Sequence, residues 1–117
     1  MSSRGDSPKL DLLQGTLDML ILKTLLFGPT HGRGIANYLR QTTDRMLSVE
    51  QGSLYPALHR LERAGLIAGT WEVRSGSPRE LKYYRLTSQG RAQLRREESK
   101  WDQFVAVITR VMRPSEG

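Results

Sequence analysis

The chain has 117 residues, enough for one domain core and too few for two. Its 38% apolar and 26% charged residues suit a small folded unit with much polar surface. Its 18 lysines and arginines stand against 12 aspartates and glutamates, a net +6 that suits a polyanionic partner such as nucleic acid or an anionic membrane surface. The absence of cysteine excludes disulfides, thiolate nucleophiles and cysteine-ligated metals; with a polar start and no apolar run near the ~20 residues of a membrane span, a soluble cytoplasmic protein is expected.

Residues 1–11 are polar and are expected to be a flexible segment. Their Arg4-Gly5-Asp6 tripeptide reads as a chance match on a frayed end. Residues 17–27 are almost continuously apolar and rich in helix formers, which predicts a buried helix stopped by Gly28 and Pro29. Leu17, Leu20, Ile21 and Leu25 fill one face of it, so Met19, Leu22 and Leu26 are expected to form a second apolar face against a partner chain. A second helix should follow Gly32 and Gly34, with Ile35, Tyr38 and Leu39 on one side, and end within residues 41–45.

The third helix lies within residues 49–64, where Leu54, Leu58 and Leu61 share a face and Gly65 stops it. Proline is comfortable only in a first helical turn. Either Ser53 caps a helix starting at Leu54, or an earlier helix starting near Glu50 bends at Pro56. Residues 66–73 and 81–87 are β-capable and flank a Gly/Ser/Pro turn, predicting a hairpin with a basic tip in which Trp71 packs structurally. Residues 88–112 can run as one helix, N-capped by Thr87 and ended by Arg113 and Pro114. On it Leu94, Trp101 and Ile108 repeat every seven residues, as do Val105 and Met112, giving an apolar stripe that needs cover.

Three short helices, a hairpin and a long helix describe a mainly α protein with a small β-hairpin: a winged helix-turn-helix over residues 12–87, a dimerisation helix over 88–112 and a tail over 113–117. The run Gln51-Gly52-Ser53-Leu54-Tyr55-Pro56-Ala57-Leu58-His59-Arg60-Leu61-Glu62, then Ala64-Gly65-Leu66-Ile67, then Lys82-Tyr83-Tyr84-Arg85-Leu86-Thr87-Ser88-Gln89-Gly90-Arg91, resembles the PadR family of transcriptional regulators; so does the opening Leu12-Leu13-Gln14-Gly15-Thr16-Leu17-Asp18. The resemblance implies the family's short branch: a homodimeric, ligand-responsive repressor whose third helix enters the major groove and whose wing touches the backbone or minor groove. Arg33 stands where many relatives have tyrosine, which removes an aromatic and offers a phosphate contact. The wing tip lacks the asparagine-and-arginine run of close relatives.

Ser53, Tyr55, His59 and Arg60 lie off the Leu54–Leu58–Leu61 face, so with Gln51 and Gly52 they are candidates to touch DNA, Arg60 through a bidentate contact to guanine. The plainer alternative packs Tyr55 on the wing and pairs Arg60 with Glu62 or Glu97. Arg33, Arg74, Arg79 and Lys82 are candidate phosphate contacts, or simply solvated charges. Leu22, Leu26, Leu94, Trp101, Val105, Ile108 and Met112 are the candidate dimer interface. The family resemblance also suggests that Met19, Trp101 and Phe104 stack a small aromatic effector between the last helices. An enzyme is poorly supported: His31 and His59 are the only histidines, and the Gly32-Arg33-Gly34 run lacks the preceding strand and third glycine of a dinucleotide site. No metal or cofactor is expected. The competing class is a winged-helix protein-interaction module that does not bind DNA.

Overall fold

The computed structural model describes residues 14–74, 76 and 78–114. The whole of the expected N-terminal segment, with its Arg4-Gly5-Asp6 tripeptide, and the last three residues of the tail lie outside them. Four helices and three short strands follow in the order α1 (Gln14–Leu26), β1 (Thr30–His31), α2 (Gly32–Thr42), α3 (Gln51–Arg63), β2 (Ile67–Val73), β3 (Glu80–Leu86) and α4 (Ser88–Met112). The strands form one antiparallel sheet in the order β1-β3-β2.

Helix α1 runs through the centre. Leu17, Met19, Ile21, Leu22 and Leu25 are buried on it, and even Thr24 is enclosed, its hydroxyl donating to the Leu20 carbonyl at 2.9 Å. Ile35 and Leu39 from α2, Leu54, Leu58 and Leu61 from α3, Ile67 and Tyr84 from the sheet and Leu94 from α4 complete the same core. The expected second face of α1 is thereby corrected. Met19 and Leu22 are buried by the chain's own elements, because helices pack on α1 from more than one side, and only Leu26 keeps partial exposure.

Strand β1 adds a third strand to the expected hairpin. Thr30 pairs with Tyr84 and His31 with Tyr83, and two residues after a proline carry too little period-2 signal to be seen in sequence. This pairing fixes His31 as the N-cap of α2, where its Nδ1 accepts the Gly34 N–H at 3.1 Å. Helix α2 ends at Thr42, and Asp44 and Arg45 turn the chain with φ of 57° and 69°.

The two alternatives for the third helix resolve toward the early start. Glu50 is the extended N-cap residue, its carbonyl accepting from the Ser53 and Leu54 amides, and Pro56 lies inside the helix. Thr87 caps α4 as expected: its Oγ1 accepts the Gly90 N–H at 3.0 Å while its hydroxyl donates to the Gly65 carbonyl at 2.8 Å. Gly90 is required there, because a Cβ would run into the Leu66 carbonyl. The start of α4 is thus clamped to the base of the wing, and Lys23 and Glu98 tie it to α1 at 2.8 Å. Beyond residue 98 every described position of α4 is exposed, and the molecule extends 60 Å along its longest axis.

Candidate nucleic-acid interface

Helical periodicity fixes what α3 presents. With Leu54, Ala57, Leu58 and Leu61 buried, the opposite line is Gly52, Pro56, His59 and Arg63 at i, i+4, i+7 and i+11, and all four are exposed. Tyr55 lies to the wing side of this line, Ser53 and Arg60 to the α1 side. Arg63 escaped the sequence reading because it sits in the last turn, outside the motif. Its spacing from His59 is the signal that would have found it.

Between α3, the start of α2 and the wing runs a groove of about 620 Å³ lined by His31, Gly32, Arg33, Tyr55, His59, Trp71, Pro78, Arg79, Leu81, Lys82 and Tyr84. Five of the expected residues, Arg33, Tyr55, His59, Arg79 and Lys82, converge there from three separate elements. Tyr55 reaches back over the first turn of α2, where a Cβ on Gly32 would stand 2.8 Å from its hydroxyl oxygen. Glycine at this position therefore lets the tyrosine ring approach the helix start closely. Arg33 brings its charge to a helix N-terminus, a place that already favours phosphate. Gln51 faces a different hollow, of about 400 Å³, with Arg33, Asn37 and Arg40 of α2, while Gly52 and Ser53 line neither space.

Two expected contacts are corrected. Arg60 is engaged on α1: its Nη2 donates to Asp18 Oδ1 at 2.6 Å, so it ties the reading helix to the central helix. Arg74 donates through Nε to Glu72 at 2.9 Å, and its guanidinium lies 4.0 Å from the Tyr83 ring centroid. Tyr83 alternates with Lys82 and Tyr84 along β3, so Arg74 sits on the sheet face turned away from the groove. Lys82 remains in the groove but is shared. Its Nζ donates to Glu62 at 2.9 Å, and that bond raises its pKa. Trp71, expected to pack, is 62% exposed on the groove wall.

Burial raises the pKa of Asp18, and the hydrogen bond and charge of Arg60 oppose the rise. The folded state thus holds this proton more tightly than the unfolded chain. The carboxyl's contribution to stability is fully present below the ordinary value of 3.8 and declines as pH rises from 3.8 to the folded value. Arg60→Ala removes the opposing influence, so the Asp18 carboxyl should titrate higher still by NMR. Urea unfolding near neutral pH should show a loss of about 1 kcal/mol, small because both side chains are partly exposed. An unmoved Asp18 titration would show that the pair is not formed in solution.

A second hollow, of about 370 Å³, opens between α1 and α4. Gly15, Thr16, Met19, Glu97, Lys100, Trp101 and Phe104 line it, with the Trp101 and Phe104 ring centroids 5.9 Å apart. Met19, Trp101 and Phe104, the residues expected to stack an effector, are therefore neighbours. Of the expected dimer residues, Leu22 and Leu94 are corrected to the protomer's own core, whereas Trp101, Val105, Ile108 and Met112 are exposed on α4. Among the described residues, no helix is long and apolar enough to cross a membrane, and no group of three or more His, Cys, Asp or Glu could hold a metal ion.

A helical trio whose third helix presents a polar face beside a β-hairpin defines a winged helix-turn-helix, a DNA-binding architecture. The chain belongs to the transcriptional regulator PadR-like family, whose model matches residues 21–96. It is similar to a PadR family transcriptional regulator from Eggerthella lenta, with 31% identity, 87% of this chain and 86% of that one covered and a TM-score of 0.71. A PadR-like transcriptional regulator from Bacillus cereus shares 27% identity over 88% of this chain and 97% of that one, with a TM-score of 0.76. A transcriptional regulator from Clostridium thermocellum shares 28% identity over 83% and 93%, also at 0.76. Fold and family together make the protein a DNA-binding regulator.

Proposed function

We propose that the protein is a cytoplasmic, sequence-specific repressor that binds a palindromic operator as a homodimer and releases or tightens in response to a small aromatic ligand. Residues 12–87 would form the DNA-binding unit and residues 88–112 the dimerisation helix. The observation that carries this reading is the end of α4: Trp101, Phe104, Val105, Ile108, Val111 and Met112 are all exposed, and beyond residue 98 no described position of the helix is buried in the single chain. Apolar surface on that scale calls for a cover. A second copy related by a two-fold axis covers it with the same surface and sets two α3 helices toward half-sites about 34 Å apart.

In this reading Arg33, Arg63, Arg79 and Lys82 hold phosphates, and Gly52 and Ser53 allow close approach of the start of α3. Tyr55 and His59 supply groups for base edges, with Gln51 beside them. The hollow lined by Met19, Trp101 and Phe104 supports the ligand: flat aromatics stack on such rings, and Glu97 and Lys100 offer opposite charges at its rim. A ligand there would lie at the seam between α1 and α4, where it can favour one dimer opening over another.

Selection of bound duplexes from a random-sequence pool, followed by titration of the enriched duplex at several salt concentrations, tests the proposal. Inverted repeats should be enriched. The slope of log affinity against log salt should be about −7 if Arg33, Arg63, Arg79 and Lys82 of each protomer neutralise one phosphate apiece. A flat slope with no enrichment would leave the winged helix as a protein-interaction module.

A further inference from the structure

Trp71 is the largest apolar side chain of the wing, and nothing in the fold accounts for its position. Wing strands of this length alternate a packed and a solvated face, yet on β2 both Trp71 and Val73, which share a face, are more than three-fifths exposed. Lys82 stands directly across from Trp71 in the β2–β3 register. The indole therefore forms part of a groove wall whose other members include Tyr55 and His59 of the reading helix and the cationic Arg33, Arg79 and Lys82. An aromatic plate ringed by cationic groups suits one class of partner, a polyanion that also carries apolar surface. The deoxyribose-phosphate strand of a DNA duplex is such a partner: its sugars offer apolar faces, its phosphates accept from an indole N–H, and the arginines meet its charge.

We infer that Trp71 anchors the wing to DNA, its ring packed on the sugar–phosphate strand that passes between α3 and the hairpin and its N–H directed at a phosphate. This rests on the DNA-binding reading and adds to it a residue that the wing's charges alone do not suggest. A contact of this kind carries affinity and position but no sequence information. It also neutralises no phosphate, so its loss should leave the salt slope unchanged, which separates it from a contact made by arginine.

The test uses the full chain labelled with 5-fluorotryptophan, which gives two fluorine resonances, that of Trp71 being the one missing in Trp71→Phe. Saturation with the enriched duplex, and at low salt with a random-sequence duplex, should shift the Trp71 resonance in both cases. Trp71→Ala, which removes an exposed side chain and should leave the circular dichroism intact, should bind both duplexes about tenfold more weakly at an unchanged salt slope. Trp71→Phe should retain most of the affinity.

A wild-type protein that binds duplex while the Trp71 resonance stays fixed would overturn the inference and leave the DNA-binding reading standing. A Trp71 resonance that shifts with protein concentration alone would make Trp71 a contact between copies of the chain and overturn it as well. Failure of the wild type to bind either duplex would remove both.

Discussion

Leu94→Ala should destabilise the protein by about 2–5 kcal/mol per protomer while leaving its association state as it was. Leu94 is 2% exposed and lies where α4 crosses α1, in the same apolar cluster as Leu17, Leu22, Leu58 and Tyr84. Truncation leaves a void among side chains held from several directions: the N-cap at Thr87 clamps the start of α4 to the wing, and the Lys23–Glu98 pair holds the next turn to α1. The site therefore has little freedom to collapse, which places the cost toward the upper part of the range. Urea unfolding followed by circular dichroism reads the loss, and sedimentation at native conditions reads the association. A variant of undiminished stability that had become monomeric would put Leu94 at the interface between copies after all.

That outcome matters because Leu94 shows what periodicity can and cannot reveal. Leu94, Trp101 and Ile108 repeat every seven residues, and the repeat correctly places them on one stripe of one helix. What covers the stripe changes along its length: Leu94 is buried in the core, whereas α1 faces Trp101 and Phe104 only across an open hollow, and nothing in the local pattern marks where burial stops. Leu22 failed for a related reason. A helix apolar on two sides can bury the second side against its own chain, and α1 does so because it sits at the centre with α2, α3 and α4 around it.

Features with a local cause were legible. Thr87 three residues before Gly90 is an N-cap that a reader of sequence can find, and Gly28 with Pro29 stops a helix anywhere. The outward set of α3 followed from the buried leucines. Partner choice across the fold was not legible: Arg60 and Asp18 are 42 residues apart, and only the crossing of α3 over α1 brings them within 2.6 Å. The helical wheel showed that Arg60 left the leucine face but not that another helix waited on that side. Trp71 misled for the opposite reason. Tryptophan is usually well covered, but a two-stranded wing extends past the core and has no layer to cover it.

Val105→Glu combined with Ile108→Glu should give a folded monomer whose affinity for the enriched duplex falls by about a hundredfold or more. In the single chain Val105 and Ile108 are 42% and 44% exposed and lie beyond the last buried residue of α4, so charging them removes little packing within the protomer. Circular dichroism and the urea midpoint should therefore stay close to those of a dilute wild-type sample. Across a two-fold axis each substitution occurs twice, so four carboxylates would be brought into an apolar seam without partners, where burial of charge is strongly unfavourable. The dimer should fail by sedimentation at concentrations where the wild type associates.

Loss of DNA affinity follows from geometry rather than from any contact removed. Neither residue belongs to the groove between α3 and the wing, but once one half-site is held, the second reading helix of a dimer binds at high effective concentration, and a monomer forfeits that advantage. Since each protomer keeps its own phosphate contacts, the residual binding should show roughly half the salt slope of the wild type. A double variant that remained dimeric, or a monomer that bound the enriched duplex as tightly as the wild type, would contradict the assignment of α4 as the element that makes two chains one regulator.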